Sequence, residues 1–274
     1  MANNSRYLKM FDALQSRGEI AWVPFVMLGY PDMETSIKVI QCFIDNGADA
    51  LELGIPFSDP VADGVLIQDT ARIALENGST VANCMQALKQ IRDDNADIPF
   101  GLLTYANLVY RPGLDNFYQT CNQVGVDSVL IADLPLIESK PFVEASNSAN
   151  VDAIFIAPPN ASDETLSRLS QQQGAYTYVV SRAGVTGDNK SVEYPVRVIN
   201  SLLANEAPAP ILGFGISQPQ HVAKAVQLGF KGAISGSAIS RMILDSVANE
   251  RPLSELLEQL KSFSLTMKQA TRIE

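Results

Sequence analysis

Short apolar runs bounded by glycine and proline alternate with amphipathic helical stretches along the whole chain, and the alternation repeats eight times. The runs predict strands over residues 21–28, 48–54, 99–104, 126–132, 151–156, 175–180, 211–212 and 232–235. Between them the 3.6-residue period predicts helices over 33–46, 68–76, 81–94, 114–123, 141–148, 162–172, 195–203, 218–228, 237–245 and 253–271, and a further helix over 5–17 leads the chain. Asp32 is placed to cap the helix it precedes, and Gly47 and Gly125 to stop the helices before them. No linker, repeat or low-complexity stretch interrupts the series. Strands that are each followed by a helix must run parallel. Eight such units predict an α/β fold, a single (β/α)8 barrel domain over residues 1–274 with an extra N-terminal helix. An open, doubly wound sheet would want a glycine fingerprint after its first strand, and Gly29-Tyr30-Pro31 is not one.

Composition narrows what such a barrel can do. The net charge is −10, which argues against nucleic acid and anionic membranes as partners. It leaves room for an anionic small substrate, because backbone N–H groups bind phosphate without a basic surface. No apolar run approaches the ~20 residues that span a bilayer. The first twenty residues lack the apolar core of a secretory signal, so a cytoplasmic location is expected. Cys42, Cys84 and Cys121 are odd in number and far apart, which reads as buried structural thiols. The single histidine, His221, follows Pro219 at a helix start and reads as a surface or capping residue. That placement argues against a histidine-based metal site and a Ser-His-Asp triad.

Barrels of this kind work at the carboxyl ends of their strands. Glu52 lies inside the second strand between Leu51 and Leu53, and Asp63 lies eleven residues on, in the loop that follows. A carboxylate within a strand either points to solvent or is buried. If buried, it gains a raised pKa and becomes usable for proton transfer near neutrality. The alternative is a partnered interior carboxylate, with Asp59 and Asp63 as turn formers. At the far side, Gly213–Ser217 (GFGIS) and Ile234–Ala238 (ISGSA) are turns of small residues before helix starts, after strands seven and eight. Free amides and a helix amino terminus make that pair a candidate phosphate site, with Ser237 adding a hydroxyl. The alternative there is tight strand-to-helix packing. Residues 182–190, with Gly184 and Gly187, form a candidate lid or simply a surface loop.

Other mechanisms lack their residues. A Schiff base needs a lysine at the mouth, and no predicted strand contains or ends in one. Asp59 and Asp63 lack an evident third partner for a divalent metal. Acid–base work by carboxylates on a phosphorylated substrate remains. It would take place in a pocket lined by Phe25, Leu103, Tyr105, Leu130, Ile156, Tyr178 and Phe214, which suits a flat aromatic group.

Five segments carry a resemblance: LELGIPFSDPVADG (51–64), LLTYANLVY (102–110), YTYVVSRAGVTG (176–187), GFGIS (213–217) and AISGSAI (233–239). In this order, over nearly the whole chain, they resemble the tryptophan synthase α subunit family. That resemblance implies a TIM barrel that splits indole-3-glycerol phosphate into indole and glyceraldehyde 3-phosphate by a retro-aldol step. It implies Glu52 as the acid–base group and Asp63 as the group that holds the indole N–H and its developing positive charge. Thr186 matches the lid threonine, and Tyr178 the strand-six tyrosine near the carboxylate. Gly187, Gly215, Gly236 and Ser237 match the phosphate grip. Phe25, Leu103 and Tyr105 match the surroundings of the indole. The family implies no cofactor in this chain. Its partner is a β subunit carrying pyridoxal phosphate, in an αββα assembly, with residues 56–61 and 105–112 as the docking surface.

One departure is visible. The family usually reads Asp-Gly-Pro after the acidic loop, and this chain reads Asp63-Gly64-Val65, which leaves the backbone there less restricted. Two rivals stay in view. Another phosphate-gripping barrel enzyme, an isomerase or an indole-glycerol-phosphate synthase, would be expected to show a catalytic lysine or histidine at the strand ends. A non-enzymatic allosteric subunit would bind ligand without releasing indole.

Overall fold

The computed structural model describes residues 5–181 and 194–273. Eight parallel strands close on themselves: β1 (Ala21–Met27), β2 (Leu51–Gly54), β3 (Phe100–Thr104), β4 (Ser128–Ile131), β5 (Asp152–Ala157), β6 (Thr177–Val180), β7 (Pro210–Gly213) and β8 (Gly232–Ser235). Each pairs with the next, and β8 returns to β1. This is the TIM barrel that the alternation predicts. Around it run α1 (Ser5–Arg17), α2 (Met33–Asp45), α3 (Val65–Glu76), α4 (Val81–Asp94), α5 (Ala106–Tyr110), α6 (Leu114–Gln123), α7 (Lys140–Ser148), α8 (Asp163–Ser170), α9 (Val196–Ala204), α10 (Pro219–Gln227), α11 (Ser237–Ala248) and α12 (Leu253–Gln269).

The strands are apolar on both faces because both are covered. All seven residues of β1, AWVPFVM, are buried. Pro24 cannot donate to a neighbour, and it stands where β1 hands over its pairing. Residues Ala21 to Pro24 face β8, and Phe25 to Met27 face β2. Helix starts follow local chemistry. Asp32 accepts the Thr35 amide at 2.8 Å ahead of α2, as expected, and Thr80 and Asn83 form a reciprocal cap on α4.

The amino end of the barrel is plugged. The α1 side chain Tyr7 enters it, its hydroxyl 3.1 Å from Ser128 Oγ and its ring 5.6 Å from that of Tyr176. Gly101 makes the room, since a Cβ there would lie 2.4 Å from Ser128 Oγ. Beside the plug, the Arg92 guanidinium donates to the carbonyls of Gly125, Asn95 and Ile98 at 3.0, 2.9 and 2.8 Å and to Asp127 Oδ2 at 2.8 Å. The same Asp127 oxygen accepts the Phe100 amide, and Arg6 holds Oδ1 at 2.8 Å.

Several boundaries differ from the sequence reading. Ladder pairing in β2 begins at Leu51 rather than residue 48. Helix α3 begins at Val65, three residues earlier than its apolar period suggests, behind the extended Gly64. Helix α5 and a 3-10 turn at Leu136–Glu138 were not anticipated; both are too short to show a period. Cys84 and Cys121 are buried, and burial pushes the Cys84 thiol up to about 12. Cys42 is only half-buried, its Sγ 3.4 Å from the Leu257 carbonyl.

Candidate active site at the barrel mouth

Glu52 is the second residue of β2, in register with Phe25 on one side and Gly101 on the other. Its side chain points into the barrel and is 2% exposed. Across the interior, Tyr176 leads into β6, and its hydroxyl donates to Glu52 Oε1 at 3.3 Å. Burial pushes the Glu52 carboxyl up to about 8. The Tyr176 hydrogen bond opposes that rise, and the negative charge of Asp63 adds to it.

Asp63 ends a tight turn in the loop from β2 to α3. Its own amide donates to the Pro60 carbonyl at 3.0 Å, and the Val61 amide donates to the Asp59 carbonyl at 2.9 Å. Gln68 Nε2, one turn into α3, donates to the Asp63 carbonyl at 2.8 Å. Tyr105, at the exit of β3, donates its hydroxyl proton to Asp63 Oδ2 at 2.8 Å and accepts the Ala62 amide at 3.2 Å. Phe57 stacks on the Tyr105 ring with centroids 5.1 Å apart. Burial raises the Asp63 carboxyl to about 6, with the Tyr105 hydrogen bond pulling it back.

Aromatic rings wall the space between these carboxyls and the far rim, and glycines at the strand ends admit them. A Cβ on Gly54 would lie 2.8 Å from Phe25 Cζ, and one on Gly213 would lie 2.3 Å from the Tyr178 ring. Tyr178 meets Phe214 edge to face at 6.2 Å. Leu103 and Ile156 are partly buried against the same core, and Leu130 is buried.

The far rim is built from two turns. After β7, Phe214 and Gly215 take left-handed backbone with φ of 65° and 75°. Ser181 Oγ donates to the Phe214 carbonyl at 3.2 Å, and His221 Nδ1 accepts the Ser217 amide at 3.2 Å. After β8, Gly236 precedes α11 and Ser237 is its first residue. No side chain among the described residues caps that helix, so its amino end offers N–H donors to a ligand. Thr186 and Gly187, with the rest of the candidate lid, lie outside the described residues.

The structure therefore brings Glu52, Asp63, Phe25, Leu103, Tyr105, Tyr178, Phe214, Gly215, Gly236 and Ser237 to one end of the barrel. Sequence reasoning overlooked Tyr176. The tyrosine bonded to Glu52 is that residue, two positions before Tyr178 and on the same face. The alternation Tyr176-Thr177-Tyr178 carried the signal. It also overlooked the contact of His221 with the β7 turn, having read that residue only as surface or cap. No group of three or more His, Cys, Asp or Glu side chains placed to hold a metal occurs among the described residues. No helix among them is long and apolar enough to cross a membrane.

Comparison with known proteins gives a consistent result. The family described as tryptophan synthase alpha chain matches residues 11–272. The tryptophan synthase alpha chain of Proteus mirabilis is 50% identical over 268 residues, covering 97% of this chain and 98% of that protein. That of Photobacterium profundum is 47% identical over 269 residues, covering 98% and 99%. Among solved structures, tryptophan synthase subunit alpha from Legionella pneumophila str. Paris superposes with a TM-score of 0.88 at 26% identity, covering 97% of this chain and 98% of that one. A chain of Mycobacterium tuberculosis tryptophan synthase gives 0.86 at 25% identity, covering 98% and 99%.

Proposed function

The chain belongs to the tryptophan synthase alpha chain family, and from that membership we propose how its barrel performs the family's reaction. The enzyme is a lyase of tryptophan biosynthesis that cleaves indole-3-glycerol phosphate. In our reading Glu52 and Asp63 carry the chemistry. The observation behind it is that two carboxyls are buried at the barrel mouth, each held by a tyrosine hydroxyl, Glu52 by Tyr176 and Asp63 by Tyr105. Burial raises both, Glu52 to about 8 and Asp63 to about 6. Near neutrality Glu52 then holds a proton and Asp63 a charge, the division of labour that acid–base catalysis needs.

Indole leaves badly as a carbanion. Glu52 gives its proton to ring carbon C3, which becomes tetrahedral, and the ring nitrogen takes up positive charge. Asp63 lies against that N–H and stabilises the cation in a pocket of low dielectric. The bond between C3 and the glycerol C3′ then breaks, its electrons restoring the indole. The C3′ hydroxyl becomes the aldehyde and returns a proton to the Glu52 carboxylate, directly or through one water. No net proton is consumed, and this chain needs no cofactor for the step. Phe25, Leu103, Tyr105, Tyr178 and Phe214 enclose the indole. Gly187, Gly215, Gly236 and Ser237 hold the phosphate by backbone amides and a hydroxyl, and Thr186 closes the lid. The whole chain acts as one barrel domain.

Membership of this family implies a β-subunit partner. We extend that to an αββα assembly, with pyridoxal phosphate in the partner, in which the released indole is joined to serine. Residues 56–61 and 105–112 form the docking surface at the mouth. Support comes from exposed apolar side chains there, Val61 at 72% and Tyr110 at 56%. The enzyme works in the cytoplasm. The test is indole release from indole-3-glycerol phosphate by the purified chain, with and without an added β subunit. Failure to release indole in both arms would leave only a binding role.

A further inference from the structure

The turn after β7 holds a conformation that needs outside support. Phe214 has φ of +65°, in the left-handed region that disfavours side chains larger than those of glycine and asparagine, and Gly215 continues it at +75°. Such backbone persists only where its surroundings fix it. From the β6 side, Ser181 Oγ anchors the Phe214 carbonyl at 3.2 Å. From the other side the support is His221, the only histidine in the chain. Helix α10 opens with Pro219, which fixes the backbone at its first position. Two residues on, the His221 ring folds back over the turn it has just left. Its Nδ1 accepts the Ser217 amide at 3.2 Å, and the ring faces the Gly215 backbone.

We propose that His221 is a positioning residue for phosphate binding: its neutral imidazole, accepting at Nδ1, clamps the 213–217 turn in the shape that presents the Gly215 backbone to a phosphate monoester. The inference rests on the phosphate reading of this rim. The acceptor requires the tautomer with its proton on Nε2. Burial favours that neutral ring, holding the His221 pKa below its ordinary value against the pull of the Gly215 backbone. Without the clamp the Ser217 amide turns to water, and the turn is free to leave its strained geometry. Phosphate affinity then falls, while the carboxyls across the mouth keep their positions.

The experiment uses the full chain, with glycerol 3-phosphate as probe and glycerol as control, followed by steady-state indole release. His221→Ala is expected to weaken glycerol 3-phosphate binding about fivefold, the worth of one neutral hydrogen bond, with the loss appearing in KM rather than kcat. His221→Asn keeps an acceptor at the δ position and restores most of the affinity. A merely structural role would not be rescued in this way. Should the alanine variant fail to fold, His221→Leu fills the space without an acceptor and takes its place. Parent-like affinity in the acceptor-free variant, or no recovery with asparagine, overturns the role of His221. Ser237→Asp separates this from the underlying reading. If the added charge leaves glycerol 3-phosphate binding intact, the rim is not the phosphate site and both inferences fall. If it abolishes binding while the acceptor-free variant binds normally, only the clamp falls.

Discussion

The hydroxyl of Tyr105 lies 2.8 Å from Asp63 Oδ2 and donates to it. The same hydroxyl accepts the Ala62 amide at 3.2 Å, so one side chain from the end of β3 fixes both the carboxylate and the loop that carries it. This relationship makes Tyr105 more than a wall of the indole pocket. Tyr105→Phe keeps the ring and its stack on Phe57 but removes both bonds. The hydrogen bond favours ionised Asp63, so its loss raises that pKa further. We expect kcat/KM to fall by about tenfold, since a hydrogen bond to a charged group is lost. The acid limb of the pH profile moves upward. Steady-state kinetics of the folded variant across pH checks both. An unmoved acid limb would detach Tyr105 from Asp63.

Asp63→Asn should slow turnover far more while leaving the barrel folded, because the amide cannot offset a cationic indole. It also removes a negative charge that helps to raise Glu52. The alkaline limb of whatever activity remains should therefore move down. Parent-like turnover in a folded Asp63→Asn protein would exclude the charge-stabilising role.

For the parent, kcat/KM should trace a bell, rising as Asp63 ionises through about 6 and falling as Glu52 loses its proton through about 8. Glu52→Gln should remove activity by about a thousandfold or more, the worth of a general acid, while phosphate-ligand binding persists. It should also act on stability with a definite sign. Because the folded pKa of Glu52 is raised above its ordinary value of 4.5, the folded state binds more protons than the unfolded state between 4.5 and about 8. Stability therefore falls as pH rises through that window. Glutamine cannot ionise, so the variant should gain in Tm over the parent above pH 8 and little below 4.5, where both states are protonated. Thermal melts at two pH values decide it. A gain that is the same at both would mean that Glu52 is not desolvated as described.

The site was legible where the type of residue was itself unusual for its place. A glutamate between two leucines in a strand, and paired glycine turns in units seven and eight, stand out against the barrel pattern. Contacts across the barrel were not legible. Alternation tells which face Tyr176 occupies, but not that it meets Glu52 from the opposite wall. Helix α5 has only five residues, and its first amide, that of Ala106, is held from a distant loop by Asp133 Oδ1 at 2.8 Å, so neither period nor local boundary announces it. The Arg92 network was also hidden, because its partners are mostly carbonyls, which leave no trace in the sequence.

That network supplies a stability prediction far from the chemistry. Arg92 is 7% exposed and Asp127 2%, and the guanidinium lies 4.0 Å from the Phe100 ring centroid. Arg92→Ala would strand three carbonyls and half of the Asp127 pairing in the barrel floor. The expected cost is about 3–5 kcal/mol, read as a lower urea midpoint. Arg92→Lys should recover only part of it, because an ammonium cannot span the same fork. Full recovery with lysine would reduce the network to a point charge.

Val65 is the first residue of α3, is 71% exposed and follows an extended Gly64 with φ of −77° and ψ of 162°. The first helical position is where proline is best tolerated, since its missing N–H has no partner within the helix. Gly64 already has the extended backbone that a following proline requires. Val65→Pro should therefore stabilise the chain by about 0.4–1 kcal/mol, chiefly by restricting the unfolded state. The urea midpoint should rise with an unchanged m-value. The same change stiffens the junction one residue after Gly64 and two after Asp63. If the freedom of that junction limits how often Asp63 is in place, indole release by the isolated chain should rise, and the added effect of a β subunit should shrink. A stabilised Val65→Pro chain with the same response to the β subunit would show that loop order is set elsewhere, by Tyr105 and Gln68 holding the loop from its other side.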